Sequence, residues 1–201
     1  MQRRHALTAF VSATSLAMLG CASTSSGSGA TPADAGWITM LDGNNINAWE
    51  AIGTANWRIT DGLVQAELGS GYLVSKKSYK DFQIRAEFWV DDEANSGIFI
   101  RCANPKEITA DNSYEVNIFD QRPDPSYGTG AIVNFSRISP MPRAGGRWNV
   151  YEITAKGPQI MVWLNGVQTA NLTNEKFANG PIALQRTSGV VKFRKLQIRP
   201  L

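Results

Sequence analysis

Apolar and polar positions alternate with a period of two through most of the chain beyond residue 56, and hardly any stretch repeats with a helical period. The clearest case is Phe82, Ile84, Ala86, Phe88 and Val90 set against Gln83, Arg85, Glu87 and Trp89, the signature of a half-buried strand. Asp61-Gly62 separates the runs 57–60 and 63–66, and Asn165-Gly166 separates 160–164 from 167–170. Both dipeptides are tight hairpin turns. A short strand is expected at 72–74, ahead of the polar stretch 75–80. The runs 150–155 and 160–164 pair through Lys156-Gly157-Pro158, and 181–185 and 190–198 close the chain. Many short strands separated by turn chemistry predict an all-β fold, an antiparallel sandwich or barrel.

Residues 95–120 hold two further strands joined by a loop. In the first, Ile98, Ile100 and Cys102 share one phase and Gly97, Phe99 and Arg101 the other. In the second, Val116 and Ile118 alternate with Glu115, Asn117 and Phe119. If the aliphatic phase faces the core, Arg101, Glu115 and Asn117 share the opposite face. An acid, a guanidinium and an amide among aromatics suit a flat polar ligand such as a sugar. The same residues can equally be solvated or paired across strands. Cys102 reads as a small buried hydrophobe. Segment 123–142 is rich in Pro, Gly and Ser, is long for a connector, and is expected to cap the sheet face.

The first residues change the picture of where the chain works. A basic start at Arg3-Arg4-His5 leads into a small apolar run ending in Leu19-Gly20-Cys21. The run is too short to span a bilayer and reads as an export signal. It resembles a bacterial lipoprotein signal, with Cys21 as the lipidated residue of the mature chain. Arg3-Arg4 leaves Sec and twin-arginine export both open. Residues 22–35 are Ser, Thr, Gly, Ala and Pro in the main, a flexible tether. Ala22 after the cysteine favours the outer membrane under the general lipoprotein sorting rules. The expected organisation is a signal at 1–21, a tether at 22–35 and one folded domain at 36–201, facing the periplasm. The formal net charge of +3 falls to near neutral without the leader, and no basic run points to nucleic acid. The one histidine is His5, so the folded part has no imidazole for a metal site or a Ser-His-Asp machine.

Motifs along the chain resemble the 3-keto-disaccharide hydrolase domain family (DUF1080). They run LDGNNINAW at 41–49, W-x-I-x-D-G-L-V at 57–64, DFQIRAEF at 81–88, NSGIFIR at 95–101 and YEVNIFD at 114–120. They continue with TGAI at 129–132, WNVYEI at 148–153, WLNGV at 163–167, GPIALQ at 180–185 and VKFRKL at 191–196. The resemblance covers essentially all of the chain after the tether. It implies a concanavalin A-like jelly-roll of two curved antiparallel sheets, a sugar site on the concave sheet, and cleavage of glycosides already oxidised at carbon 3. It also implies a sugar 3-oxidoreductase acting upstream. Asn117 departs from the family's usual Gln, and Lys195 from its usual Asn.

The 3-ketone explains how a site without histidine breaks a glycosidic bond. The carbonyl acidifies the carbon 2 proton, a carboxylate removes it, and the group on carbon 1 leaves. Glu115 is the candidate base. Arg101 and Arg194 are candidates for the developing negative charge, and Asn95, Asn117, Gln185 and Lys195 for substrate contacts. Asp120 is either a second acid or a strand-end turn residue. A two-carboxylate glycosidase would have to pair Glu115 with Asp120, Glu87 or Asp111. A non-catalytic carbohydrate-binding module is the alternative from another class, with Trp49, Trp57, Trp89 and Tyr127 as stacking candidates. No cofactor is called for. Asp111-Asn112 and the acids of 120–124 offer oxygen ligands for Ca²⁺, but their spacing fits no recognised loop.

Overall fold

The computed structural model describes residues 35–44 and 46–201; the leader, Cys21 and residues 22–34 of the tether lie outside them. Among the described residues, thirteen strands form two antiparallel sheets packed as a jelly-roll sandwich. The larger sheet runs β11 (Val167–Thr173), β10 (Gln159–Leu164), β9 (Arg147–Lys156), β6 (Phe82–Val90), β13 (Val191–Pro200), β4 (Leu63–Ala66), β3 (Arg58–Thr60), with β1 (Ile38–Leu41) also on β13. The smaller runs β2 (Trp49–Gly53), β5 (Gly71–Tyr79), β12 (Gly180–Ser188), β7 (Asn95–Ile100), β8 (Tyr114–Ile118).

The alternating sequence sets the layers. On β6, Phe82, Ile84, Ala86, Phe88 and Val90 are buried while the residues between them are half-exposed. Their partners across the core include Leu73, Ile98, Ile100, Tyr114, Val116 and Leu184 of the smaller sheet, in one continuous apolar cluster. The two predicted hairpin turns form as expected. Asp61 and Gly62 have φ of +52° and +71°, and Asn165 and Gly166 +51° and +81°, the left-handed pair that matches strand twist. The strand expected at 72–74 runs on to Tyr79, because Tyr79 and Ser78 pair in register with Gly180 and Pro181. A polar run does not end a strand whose backbone has a partner on the sheet.

The smaller sheet is unusual in being buried on both faces. Val74, Phe99, Cys102, Ile108 and Ala183 make a second apolar cluster on its outer side. Residues 101–113 fold over that side and are tied down where Tyr72 Oη donates to the Ile108 carbonyl at 2.9 Å. Beyond β8, the segment 130–133 runs alongside the strand. Asn117 N–H donates to the Ala131 carbonyl and Val133 N–H to the Glu115 carbonyl, both at 3.0 Å.

Candidate active site

Two rows of outward side chains cross the smaller sheet. Register pairs Tyr72 with Gln185, Gln185 with Gly97, and Gly97 with Asn117. The next row pairs Val74 with Ala183, Ala183 with Phe99, and Phe99 with Glu115. Polar groups therefore line one row and an apolar floor the other, with Glu115 at its end. Asn95 stands on the same face of β7 by alternation, two residues before Gly97.

Gly97, at the centre of the polar row, lets the Glu115 side chain lie close against the sheet. A Cβ there would meet Glu115 Cγ at 3.3 Å, the Val116 carbonyl at 3.3 Å and Glu115 Oε1 at 3.4 Å. The Glu115 side chain thus fills the room that a side chain at 97 would need. Gly97→Ala needs no unusual backbone φ, but its methyl will crowd the carboxyl and press on the Val116 carbonyl. It should lower kcat/KM by about tenfold or more while the melting temperature hardly moves. Unchanged kcat/KM on a 3-keto glucoside would show that the placement of Glu115 against Gly97 does not matter to turnover.

Glu115 is only 7% exposed. Burial pushes its carboxyl up to about 7, against the pull of the Arg122 guanidinium. Asn117 is fully buried; its Nδ2 donates to the Tyr127 carbonyl at 2.7 Å, and its Oδ1 has no partner. Gln185 Nε2 donates to Tyr72 Oη at 3.3 Å, and Gln185 Oε1 likewise has none. A buried carbonyl oxygen without a donor costs free energy until one arrives. Two such oxygens stand on either side of Gly97 in the register of the sheet, beside the Glu115 carboxyl.

The structure does not bring every predicted residue here. Arg101 is a correction. β7 ends at Ile100, and Arg101 takes a left-handed φ of +52°. That kink breaks the alternation, so Arg101 leaves the face of Phe99 and Cys102 joins it. The 1%-exposed guanidinium donates to the carbonyls of Lys80 (2.8 Å), Gly157 (2.9 Å) and Phe177 (3.3 Å) and to Asp81 (3.2 Å). It clamps the fold and does not face Glu115. Arg194 and Lys195 are a second correction. Both lie on β13 in the other sheet, at a bulge between Phe193 and Lys195, where Arg194 pairs with Glu87 and covers Trp148.

Asp120 takes the turn-residue role. Its oxygens accept from Thr129 Oγ1 at 2.6 Å, from Ala144 N–H and from Gly145 N–H, which anchors the long β8–β9 connection. Asp111 accepts from Asn134, and Glu87 belongs to the far sheet, so neither joins Glu115. Of the aromatic candidates, Trp49 is in the core, donating from Nε1 to the Met40 carbonyl, and Trp57 packs against the core. Tyr127 supplies its backbone carbonyl to Asn117.

Periodicity and motifs do not single out Tyr72, Gly97 or Arg122. Tyr72 shares its phase with Val74, a signal present in the sequence; its pairing with Gln185 across 113 residues is not. Burial raises the Tyr72 hydroxyl pKa, with the Glu115 charge adding to the shift and the Gln185 hydrogen bond opposing it. Arg122 sits on a loop whose path Asp120 sets, two residues away.

Comparison with known proteins agrees with this architecture. A curated relative, the 3-keto-disaccharide hydrolase of Bacteroides thetaiotaomicron, is 34% identical over 82 residues, 34% of this chain and 28% of that protein. The match therefore spans little more than a quarter of the relative's own length. A proposed glycosyl hydrolase from Parabacteroides distasonis superposes with a TM-score of 0.73 at 18% identity, over 83% of this chain and 94% of that one. The carbohydrate-binding module CBM66 from Bacillus subtilis gives 0.59 at 15%, over 76% and 95%. At such identities these two show the fold alone, and the fold serves binders as well as enzymes. A family model described as a 3-keto-alpha-glucoside-1,2-lyase-like domain matches residues 36–199, and the chain belongs to that family.

Proposed function

We propose that this domain cleaves glycosides carrying a ketone at carbon 3, with Glu115 as the base that takes the carbon 2 proton. The observation that carries the reading is a lone buried carboxyl whose pKa lies at about 7, next to two unpartnered amide oxygens. A base is most useful when its pKa lies near the working pH. The substrate class comes from the family description and from the name of the Bacteroides relative.

In the proposed reaction the Asn117 and Gln185 oxygens accept from sugar hydroxyls and set the ring over Gly97. Ionised Glu115 removes the carbon 2 proton, and the electron pair moves to the carbon 3 oxygen as an enolate. Arg122, already close enough to act on the Glu115 charge, is the candidate for stabilising that oxygen in place of Arg101 and Arg194. The enolate collapses to a carbon 1–carbon 2 double bond and expels the carbon 1 substituent, which takes up a proton. Addition of water across the double bond completes net hydrolysis. Direct displacement would need a second free carboxyl, and Asp120 is committed to its loop. The base form of Glu115 fills in above pH about 7, so turnover should rise with pH through that value.

Such a substrate has to come from an oxidoreductase acting on the carbon 3 hydroxyl. Export and lipidation at Cys21, which would hold the domain at the cell envelope, belong to the same proposal.

The test compares a plain glucoside with its 3-keto form. The keto form should release its aglycone and the plain form should be inert. In heavy water the sugar product should carry deuterium at carbon 2, beyond what the free keto sugar exchanges by itself. Cleavage of both at similar rates would overturn the ketone requirement. Binding of sugars with cleavage of neither would favour a carbohydrate-binding module.

A further inference from the structure

The chain has six tryptophans, and four of them, Trp37, Trp89, Trp148 and Trp163, stand outside the core. Alternation puts Trp89, Trp148 and Trp163 on the outer face of the larger sheet, across the sandwich from Glu115. Trp89 and Trp148 are directly opposed across β6 and β9, and Lys192 continues their row on β13. Trp148 is 38% exposed. Tryptophan standing on an outward sheet face leaves apolar area in water that the core could have used.

Each of three rings lies under a cation. Lys192 Nζ is 4.7 Å from the Trp89 centroid and Arg194 is 4.6 Å from Trp148; Arg85 and Arg199 are each 5.0 Å from Trp37. Between Trp37 and Trp163 the sheet holds a cleft of about 410 Å³ lined by Gln83, Arg85, Thr154 and Arg199, with Glu152 beside them. Charge on this face is one-sided. β6 and β13 turn Arg85, Lys192, Arg194, Lys195 and Arg199 outward against Glu87, and β9 adds Glu152. The two carboxylates pair with Arg194 and Arg85. Lys192, Lys195 and Arg199 have no carboxylate within 4.0 Å among the described residues.

We propose that this outer face is a second glycan-binding surface, for a polysaccharide that carries carboxylate or sulfate groups. Flat indole rings match the apolar faces of pyranose units, and the unpaired cations match the anionic substituents. Gln83 and Thr154, hydrogen-bonded to each other at 3.2 Å, add donors and acceptors for hydroxyls in the cleft. Glu87 and Glu152 lie inside the patch. Held by Arg194 and Arg85, they can accept from sugar hydroxyls, which a glycan offers on every unit and a DNA chain does not. The surface faces away from Glu115, so it would hold the domain on a polymer while the cleavage site stays open.

The full chain should be titrated with polygalacturonate, with chondroitin sulfate, with neutral dextran and with single-stranded oligothymidine of similar length, by affinity electrophoresis and calorimetry. Binding to at least one acidic polysaccharide, weakened by added salt and absent for dextran, is expected. The double variant Lys192→Ala/Arg199→Ala should lose about tenfold or more in that affinity, in proportion to the charges removed. Trp148→Ala should weaken it too, while Glu115→Gln, on the other sheet, leaves it unchanged. The proposal is overturned by no binding to either acidic polymer, by equal binding to dextran, by tighter binding to oligothymidine, or by full affinity in a folded double variant.

Discussion

Glu115→Gln will reduce turnover of a 3-keto glucoside by about 10³-fold or more, since an amide cannot accept the carbon 2 proton. The same variant will be more stable than the parent at neutral pH. The sign follows from the raised pKa. In the unfolded chain a Glu titrates at ~4.3, whereas folded Glu115 titrates at about 7. Below pH 4 both states are protonated and burial of the group carries no charge penalty. Between about 4 and 7 the unfolded chain ionises while the folded one resists, so stability falls as pH rises. Above 7 the full penalty remains, up to about 4 kcal/mol from the ~1.36 kcal/mol carried by each pH unit. Glutamine removes it. Denaturant unfolding at pH 4 and pH 8 should therefore show near-equal stabilities at the first and a clear gain for the variant at the second. A well-folded Glu115→Gln protein that turns over normally removes Glu115 as the base. Equal stability at pH 8 would falsify the raised pKa.

Arg101→Met should have the opposite profile, a large loss of stability with activity per folded molecule retained. The substitution leaves Asp81 and three backbone carbonyls without the buried donor they share. Asp81 is partly open to solvent and the arginine is buried, so the loss of this donor should cost about 3 kcal/mol. Lysine is not expected to rescue it, because one ammonium cannot reach acceptors that Nε, Nη1 and Nη2 divide among themselves. Soluble yield and the melting temperature are the measurements. An Arg101→Met protein of parental stability that has lost turnover would return Arg101 to the catalytic set.

The contrast between these two residues marks how far periodicity reads into this chain. Strict alternation located β6 and put Glu115 and Asn117 on one face, because a paired strand leaves its side chains no other choice. Arg101 escaped because one left-handed residue reverses the phase, and an Arg at φ +52° carries no local signature of the kind a glycine would. Arg194 and Lys195 escaped for a different reason. Their strand was legible, but which sheet received it depends on pairing with β6, more than a hundred residues earlier. Asp120 could be read as an acid or a turn residue until Thr129, Ala144 and Gly145 closed on it. Arg122 was illegible because a loop residue points wherever its anchors send it.

The segment 130–133 alongside β8 has a consequence beyond shaping the site. β8 is the last strand of its sheet, and an uncovered last strand is a template on which another chain can polymerise. Here the backbone groups of Glu115 and Asn117 are already taken by Val133, Ala131 and Gly130. The strand that carries the reactive carboxyl is thus sealed against intermolecular pairing by its own downstream chain. A proteolytic nick or a proline insertion within 130–133 would unseal it. Its first symptom would be fibrillar or amorphous self-association, with Glu115 still chemically intact.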